Sequence, residues 1–566
     1  MLHTAGGVLG VVLLGGVLSP LAAGEDAESQ YKIALKAIAK KERAFWDDFR
    51  KREAAAAEAA REPWREMARS MNGHGAQVDL ALDHAGFHAL YEEYAQLQRE
   101  RVKAAASLAA ALGQDSLGRL WRDLLATCGE IDDAEAEVEA VNDPTGDTWA
   151  STEQGPGIRC HALYVRRDGL LDLLARVPGV PAFLAPTGWA EASKGDGQRS
   201  LTRRVAVLDL LSAAHSRDGL LLADLALSEK WSSVRIAALE CALELDPAPR
   251  PPLVACLGDP SPPLRRALLV AIRTRPSPSA RWIPALVERL PETRGLERLE
   301  CLATLAALAG HHMGAAPEAW QAWCETQRTA IDAGTFKAEE SKETSTVVLP
   351  STTSFFGVTP LSEGIIFALE GGYNLLVPAD YDIQRTKAFL DWVLGKRQKD
   401  YVTHRDVQIR EFSKALDRLG PDVSFGVLLC SGNGSVKVMG DRTLLRGSAH
   451  DIEKAKQFLE THTPSGDRSE YANLRTALAL AGLPSGAFDL PKPGADTILF
   501  VGDGSLRGGP YLDPDAAVLA VARWNRFRRV AIHTIRICNA GSDSERLLRG
   551  IAQVTGGTYQ WRRAPP

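Results

Sequence analysis

Thr497-Ile498-Leu499-Phe500-Val501-Gly502-Asp503-Gly504 is an apolar run closed by a Gly-Asp-Gly turn. A run of this length, bounded by glycine, reads as a strand buried on both faces. Gly364-Ile365-Ile366-Phe367-Ala368-Leu369, Val423-Ser424-Phe425-Gly426-Val427-Leu428-Leu429 and Val530-Ala531-Ile532-His533-Thr534-Ile535-Arg536-Ile537 are three more such runs. Between them the apolar spacing changes to steps of three and four, at 405–419, 449–461, 473–482, 514–527 and 543–554. Strands alternating with helices predict a mainly parallel sheet covered on both faces. Ser435-Val436-Lys437-Val438-Met439 is expected to be an antiparallel edge strand. Such sheets hold ligands at the carboxyl ends of their strands. The loops after Leu369, after Val501 and before the helix at 473 are therefore the candidate site.

Residues 357–566 resemble a von Willebrand factor type A (VWA) domain. Thr497 to Gly504 looks like that family's fourth strand and Asp-Gly. Leu547-Leu548-Arg549-Gly550-Ile551-Ala552-Gln553-Val554-Thr555-Gly556-Gly557-Thr558-Tyr559 looks like its last helix, Gly-Gly turn and last strand. The resemblance implies an α/β Rossmann-like fold and a metal-ion-dependent adhesion site. That site needs an Asp-x-Ser-x-Ser loop, a Thr and an Asp, hard oxygen ligands suited to Mg²⁺. Here the loop reads Glu370-Gly371-Gly372-Tyr373-Asn374, and the Thr position falls on Ala472. Only Asp503 stands unchanged. The metal set carried over is therefore Asp503, Glu370 and Asn374, a degenerate site. The longer Glu370 side chain would misplace its carboxylate for octahedral Mg²⁺. No cofactor is expected, with Mg²⁺ as the alternative. The plainer readings make Asp503 a turn residue and Glu370 a solvated strand end. Residues 375–402 add length beside this face, and with Tyr373, Tyr381 and Tyr401 would either cover it or serve as a metal-free contact surface.

Upstream the chain reads as helical. Over 25–145, Tyr31, Leu35, Ile38, Phe45 and Phe49 repeat at helical steps, as do Phe87, Leu90, Tyr94 and Leu97. Pro63 and Asn72-Gly73-His74-Gly75 are expected to separate two long helices, coiled-coil-like, packing as a hairpin on the rest of the chain rather than on a partner. Residues 146–200 read as a connecting region with a helical piece near 169–177. Residues 201–325 contain an internal repeat: Ser232-Ser233-Val234-Arg235-Ile236-Ala237-Ala238-Leu239 returns about thirty residues later as Pro262-Pro263-Leu264-Arg265-Arg266-Ala267-Leu268-Leu269, and Leu296 to Leu308 keeps the spacing. With Asp259-Pro260-Ser261 before the helix, this resembles HEAT repeats, an α-solenoid family in which the Arg commonly bridges neighbouring units. Trp320 and Trp323 look like a cap on the stack. Residues 326–356 read as a linker.

Composition limits the partners. The chain has 566 residues, a net charge of -5 and 45% hydrophobic residues. It has no basic run that would mark nucleic acid or anionic lipid. Gly6 to Leu18 is apolar and ends in Pro20-Leu21-Ala22-Ala23-Gly24. Segment 1–24 is thus expected to be an export signal or an N-terminal anchor, with no other membrane span. Eight cysteines show no CxxC spacing; Cys128 and Cys160 are the one candidate disulfide. His84, His88 and Glu92 lie one helical turn apart, a spacing a metal would accept, but inside an apolar helical seam. His311-His312 is expected in an exposed loop, and Gly432-Asn433-Gly434-Ser435 in a tight turn. No catalytic motif is found. The expectation is an exported, non-catalytic protein that binds a protein partner without a metal; a cation-dependent adhesion protein is the alternative.

Overall fold

The computed structural model describes residues 25–70, 84–141, 155–194, 197–215, 219–275, 279–338, 354–358, 362–371, 402–430, 436–439, 444–462, 474, 477–478, 481, 494–502, 504, 511, 513–537 and 542–561. The export segment, Asn374, Asp503, Ala472, the tyrosines at 373, 381 and 401 and the turn at 432–435 lie outside the described residues.

Four long helices begin the chain: α1 (Glu25–Ser70), α2 (His84–Leu112), α3 (Leu117–Val141) and α4 (Gly155–Ala175). Ala27, Tyr31, Ile38, Phe45 and Phe49 are buried. Their spacing of four and seven puts them in one stripe of α1, with charged residues filling the rest. Pro63 does not end α1, which continues to Ser70. Nor is 146–200 a mere connection. Its α4 is a full helix that packs on both α2 and α3. Gly169 makes this possible, because a Cβ there would lie 2.9 Å from the Val102 side chain. The candidate disulfide is not formed. Cys128 and Cys160 are free buried thiols, and burial pushes the Cys128 thiol up to about 12.

Seven further helices form two rows. α5 (Gln198–Ala213), α7 (Ser232–Leu245), α8 (Pro262–Arg273) and α10 (Gly295–Ala309) pack one on the next. α6 (Gly219–Ala226) and α9 (Ile283–Arg289) lie against them, and α11 (Pro317–Asp332) packs on α9. An arginine recurs roughly every thirty residues along the first row: Arg204, Arg235, Arg265 and Arg298. Arg204 pairs with Glu229 at 3.1 Å. Arg235 grips Asp259 through Nε and Nη2 (3.1 and 2.9 Å), and Arg265 grips Glu297 in the same way (2.9 and 2.6 Å). Each also donates to the carbonyl six residues before it, Glu229 and Asp259. Arg298 donates to the Ala315 carbonyl at 2.8 Å. The fork of a guanidinium satisfies a carboxylate and a carbonyl at once, which a lysine cannot do. At the end of the rows Trp320 is fully buried and donates to the Gly314 carbonyl at 3.0 Å. His311 and His312 are not in an exposed loop; their rings pack edge-on against Trp323 and Trp320.

The period changes at β1 (Gly364–Glu370). It is followed by α12 (His404–Leu416), β2 (Ser424–Cys430), β3 (Val436–Val438), β4 (Leu445–Arg446), α13 (Ala449–Thr461), β5 (Thr497–Gly502), α14 (Pro514–Asn525), β6 (Ala531–Arg536), α15 (Ser542–Thr555) and β7 (Tyr559–Trp561). The sheet order is β3-β2-β1-β5-β6-β7, with β4 also on β2. β2, β1, β5, β6 and β7 run parallel, and β3 and β4 are antiparallel. The chain is thus mostly helical with a mixed, mainly parallel sheet at its C-terminal end. Strand residues alternate between two cores. Ile365, Phe367 and Leu369 face one; Ile366, Ala368, Ile498 and Phe500 face the other. This second core is continuous with Phe45, Phe49, Tyr91 and Tyr94 of the N-terminal helices.

The α/β domain is also tied to the helices by charge. Arg526, just past α14, holds Asp209 of α5 (2.6 and 3.1 Å) and Glu240 of α7 (2.8 and 3.0 Å). Arg529 reaches the other Glu240 oxygen, and Arg167 of α4 reaches Asp209. Burial alone would raise the Asp209 carboxyl, but Arg526 and Arg167 hold it below the usual range. Trp524 donates to Glu135 of α3 at 3.2 Å, and the Arg523 guanidinium lies 3.8 Å from the Tyr164 ring centre.

The arginine ladder generates a test. Arg265 and Glu297 are 15% and 12% exposed, so Arg265→Ala leaves a largely buried carboxylate unpaired. It is expected to cost about 2–3 kcal/mol, and Arg265→Lys about 1 kcal/mol. Urea unfolding measures both. Two variants indistinguishable from the parent would show that the ladder contributes no stability.

Candidate functional site

The candidate site is the rim formed by the carboxyl ends of β1, β5 and β6. Of the three residues carried over as a metal set, only Glu370 lies among those described. It ends β1 and is 6% exposed, so it is not a solvated strand end. Two side chains close over the backbone beside it. Gln408 Nε2 donates to the Glu370 carbonyl at 2.9 Å, and His462 Nε2 lies 3.4 Å from the Gly371 carbonyl. Both residues are buried.

Local chemistry sets these two residues in place. Thr403 caps α12: its hydroxyl accepts from the Asp406 amide, and the Asp406 carboxylate accepts from the Thr403 amide. This reciprocal cap fixes the start of the helix one turn before Gln408. Ser448 caps α13 in the simpler way. Arg405 then joins the two helices by donating to the Glu460 carbonyl at 2.9 Å and to that of His462. The result brings Gln408 and His462 to the same strand end.

Register places a cation further along the rim. Gly502 of β5 pairs with Arg536 of β6. Arg536 is 4% exposed, its Nη1 lies 3.3 Å from Glu545, and its guanidinium sits 5.1 Å from the Trp561 ring centre. Paired residues on neighbouring strands are about 5 Å apart.

Other sequence candidates separate. His84 and His88 lie on α2 with Glu92, whose carboxylate takes Arg99 at 2.5 and 3.2 Å. Among the described residues no three His, Cys, Asp or Glu side chains gather in a way that would hold a metal ion. A small pocket of about 70 Å³ does lie between α1, α2, α3 and α4, with Tyr31, Arg101, Asp123, Glu130 and Arg166 in its wall. Its charges are already paired: Arg101 with Glu42, Arg166 with Glu130 and Thr127, and Tyr31 with Asp123. This is a polar interior that satisfies itself.

Sequence reasoning missed Gln408, His462 and the Arg526 contacts. Thr403-x-x-Asp406 carries the signal of a helix cap, but nothing in it says which strand end the helix meets. Arg526-Phe527-Arg528-Arg529 was visible as three arginines in four residues, with nothing to say which carboxylates they meet. Compared with known protein families and with curated proteins, the sequence matches none.

Two outcomes are expected. Gln408→Ala strips the buried Glu370 carbonyl of its donor and should cost about 1–3 kcal/mol by urea unfolding. Burial also holds the His404 and His533 imidazoles down to about 4. The unfolded chain takes up these protons first, so stability present above about pH 6.5 is lost as pH falls toward about 4. A double variant, His404→Phe with His533→Phe, should flatten that slope in a thermal-melt series; an unchanged slope would assign it to other groups.

Proposed function

We propose that this is an exported, non-catalytic binding or scaffolding protein. In this reading the C-terminal sheet is a degenerate VWA domain of Rossmann-like topology, and the helical rows are a short HEAT-like solenoid. The sheet order and the ladder at Arg204, Arg235, Arg265 and Arg298 support it. Both parts are recognition devices, though a fold by itself does not establish a function.

The observation that carries the reading is the sheet order β3-β2-β1-β5-β6-β7, whose parallel strands bring the carboxyl ends of β1, β5 and β6 to one rim. A VWA domain that holds a divalent cation there presents a positive centre to a partner's carboxylate. Here Arg536 at the end of β6 is buried against Glu545 and Trp561, so its charge is answered within the chain. The rim is read as a metal-free contact surface for a protein partner.

The test uses the full-length protein to capture partners from an envelope extract of the source cell, with and without chelator. The expected result is the same partner in both arms; loss of the partner in the chelator arm would overturn the metal-free reading. In parallel the melting temperature should not move between chelator and millimolar Mg²⁺. A rise in melting temperature with Mg²⁺ that Asp503→Ala abolishes would replace this reading with cation-dependent adhesion through Asp503, Glu370 and Asn374.

A further inference from the structure

A second group of ionisable residues lies at the opposite end of the sheet, where the amino ends of the strands meet the helical row. Arg266 of α8 is 3% exposed, and its Nη2 donates to the Arg528 carbonyl at 2.9 Å. Its Nε and Nη1 are buried and have no hydrogen-bond acceptor. Two carboxyl groups face it, one from each side of the contact. Glu300 comes from α10, and its Oε2 is fully covered without a donor. Asp496 comes from the turn before β5, and its Oδ1 accepts from Ser362 and from Thr497 (2.9 Å). The backbones approach closely beside them, since a Cβ on Gly295 would lie 3.3 Å from the Glu363 amide nitrogen.

We propose that this seam is a proton-operated latch: the α/β domain docks tightly on the helical row while Glu300 and Asp496 carry protons, and loosens as they ionise.

The charges around each carboxyl give the direction. Glu300 is faced by Arg266 and Arg273 of α8, by Arg529 from the segment before β6 and by Asp496, a like charge. Asp496 is faced by Arg266 and by the hydroxyls of Ser362 and Thr497. Burial is the largest influence on both and pushes both carboxyls up; the arginines and hydroxyls do not cancel it. A carboxyl raised in the docked state binds its proton more tightly there than when exposed. Docking is therefore favoured as pH falls, and that contribution is lost as pH rises through the raised range.

Two other groups at the domain contact respond to acid in the opposite sense. Asp209 is held below the usual range by Arg526 and Arg167, so its pairing survives until more acid conditions than a free aspartate would allow. His161 of α4 is pushed down to about 4 by burial, with Arg523 and Arg99 adding to the effect and Asp513 and Glu92 opposing it. His161 therefore weakens docking as pH falls from about 6.5 toward about 4. A whole-protein pH profile mixes these terms, and the latch is read only as a difference between variants.

Hydrogen exchange of the full-length protein makes that comparison, in peptides covering 262–273 and 526–531. Rates are corrected for intrinsic exchange and measured between about pH 5.5 and about pH 8. The parent is His161→Gln, which removes the opposing imidazole. In it, seam protection should fall several-fold toward the alkaline end. Adding Glu300→Gln should hold the seam near its protected level across the range, and adding Asp496→Asn should do the same. Glu300→Gln decides the matter if Asp496→Asn misfolds through loss of the Ser362 and Thr497 contacts. Protection that rises toward alkaline pH, or identical profiles with and without Glu300→Gln, would overturn the latch.

Discussion

Arg526 is the side chain on which the architecture turns. One guanidinium from the α/β domain occupies carboxylates on two different helices of the row, Asp209 and Glu240. Arg529 and Arg167 complete the set, so neither carboxylate is buried with a single partner. Removing charges from water is costly, and only close, multiply bonded geometry offsets that cost. The arrangement therefore tolerates little displacement. It sets the amino ends of the strands against the helices. The rim at Glu370 and Arg536 lies at the other end of the strands, roughly 20 Å away along a seven-residue strand.

The helical part prepares that platform. Each ladder arginine links its own helix to a carboxylate or carbonyl further along the chain, so every added helix is tied to the last. The surface carrying Asp209, Glu240, Arg266 and Glu300 comes from four successive helices of one row. Their mutual register decides whether Arg526 and Arg266 find their partners. A change in the ladder is thus felt at the domain contact, through packing and not through any direct bond.

The rim and the seam use buried charge differently. At the rim, Arg536 is permanently charged and its surroundings supply a carboxylate and an aromatic face. In the seam, Arg266 shares its space with two carboxyls that burial drives toward their neutral forms. There, ionising a buried carboxyl costs more than the nearby arginines repay.

Local physics made much of the fold legible in advance. Apolar runs marked the four long strands, and apolar spacing at steps of three and four marked α12, α13, α14 and α15 within a few positions. The thirty-residue return of the Val-Arg and Leu-Arg segments located the helical row. Each of these signals depends on neighbours close in sequence, which is why one sequence sufficed. The rest needed three dimensions. Pro63 was read as a break because proline removes a helical hydrogen bond, yet α1 runs on to Ser70. Residues 146–200 were read as a connection with a helical piece near 169–177, yet 155–175 is one full helix whose apolar face is completed only by α2 and α3. Glu370 was read as a candidate metal ligand or else a solvated strand end, and in the fold it is buried at the end of β1. Helix, strand and repeat were thus determined by the sequence itself. Which arginine meets which carboxylate was decided by tertiary structure, because a charge carries no address until packing brings one partner near and excludes the water that would otherwise compete.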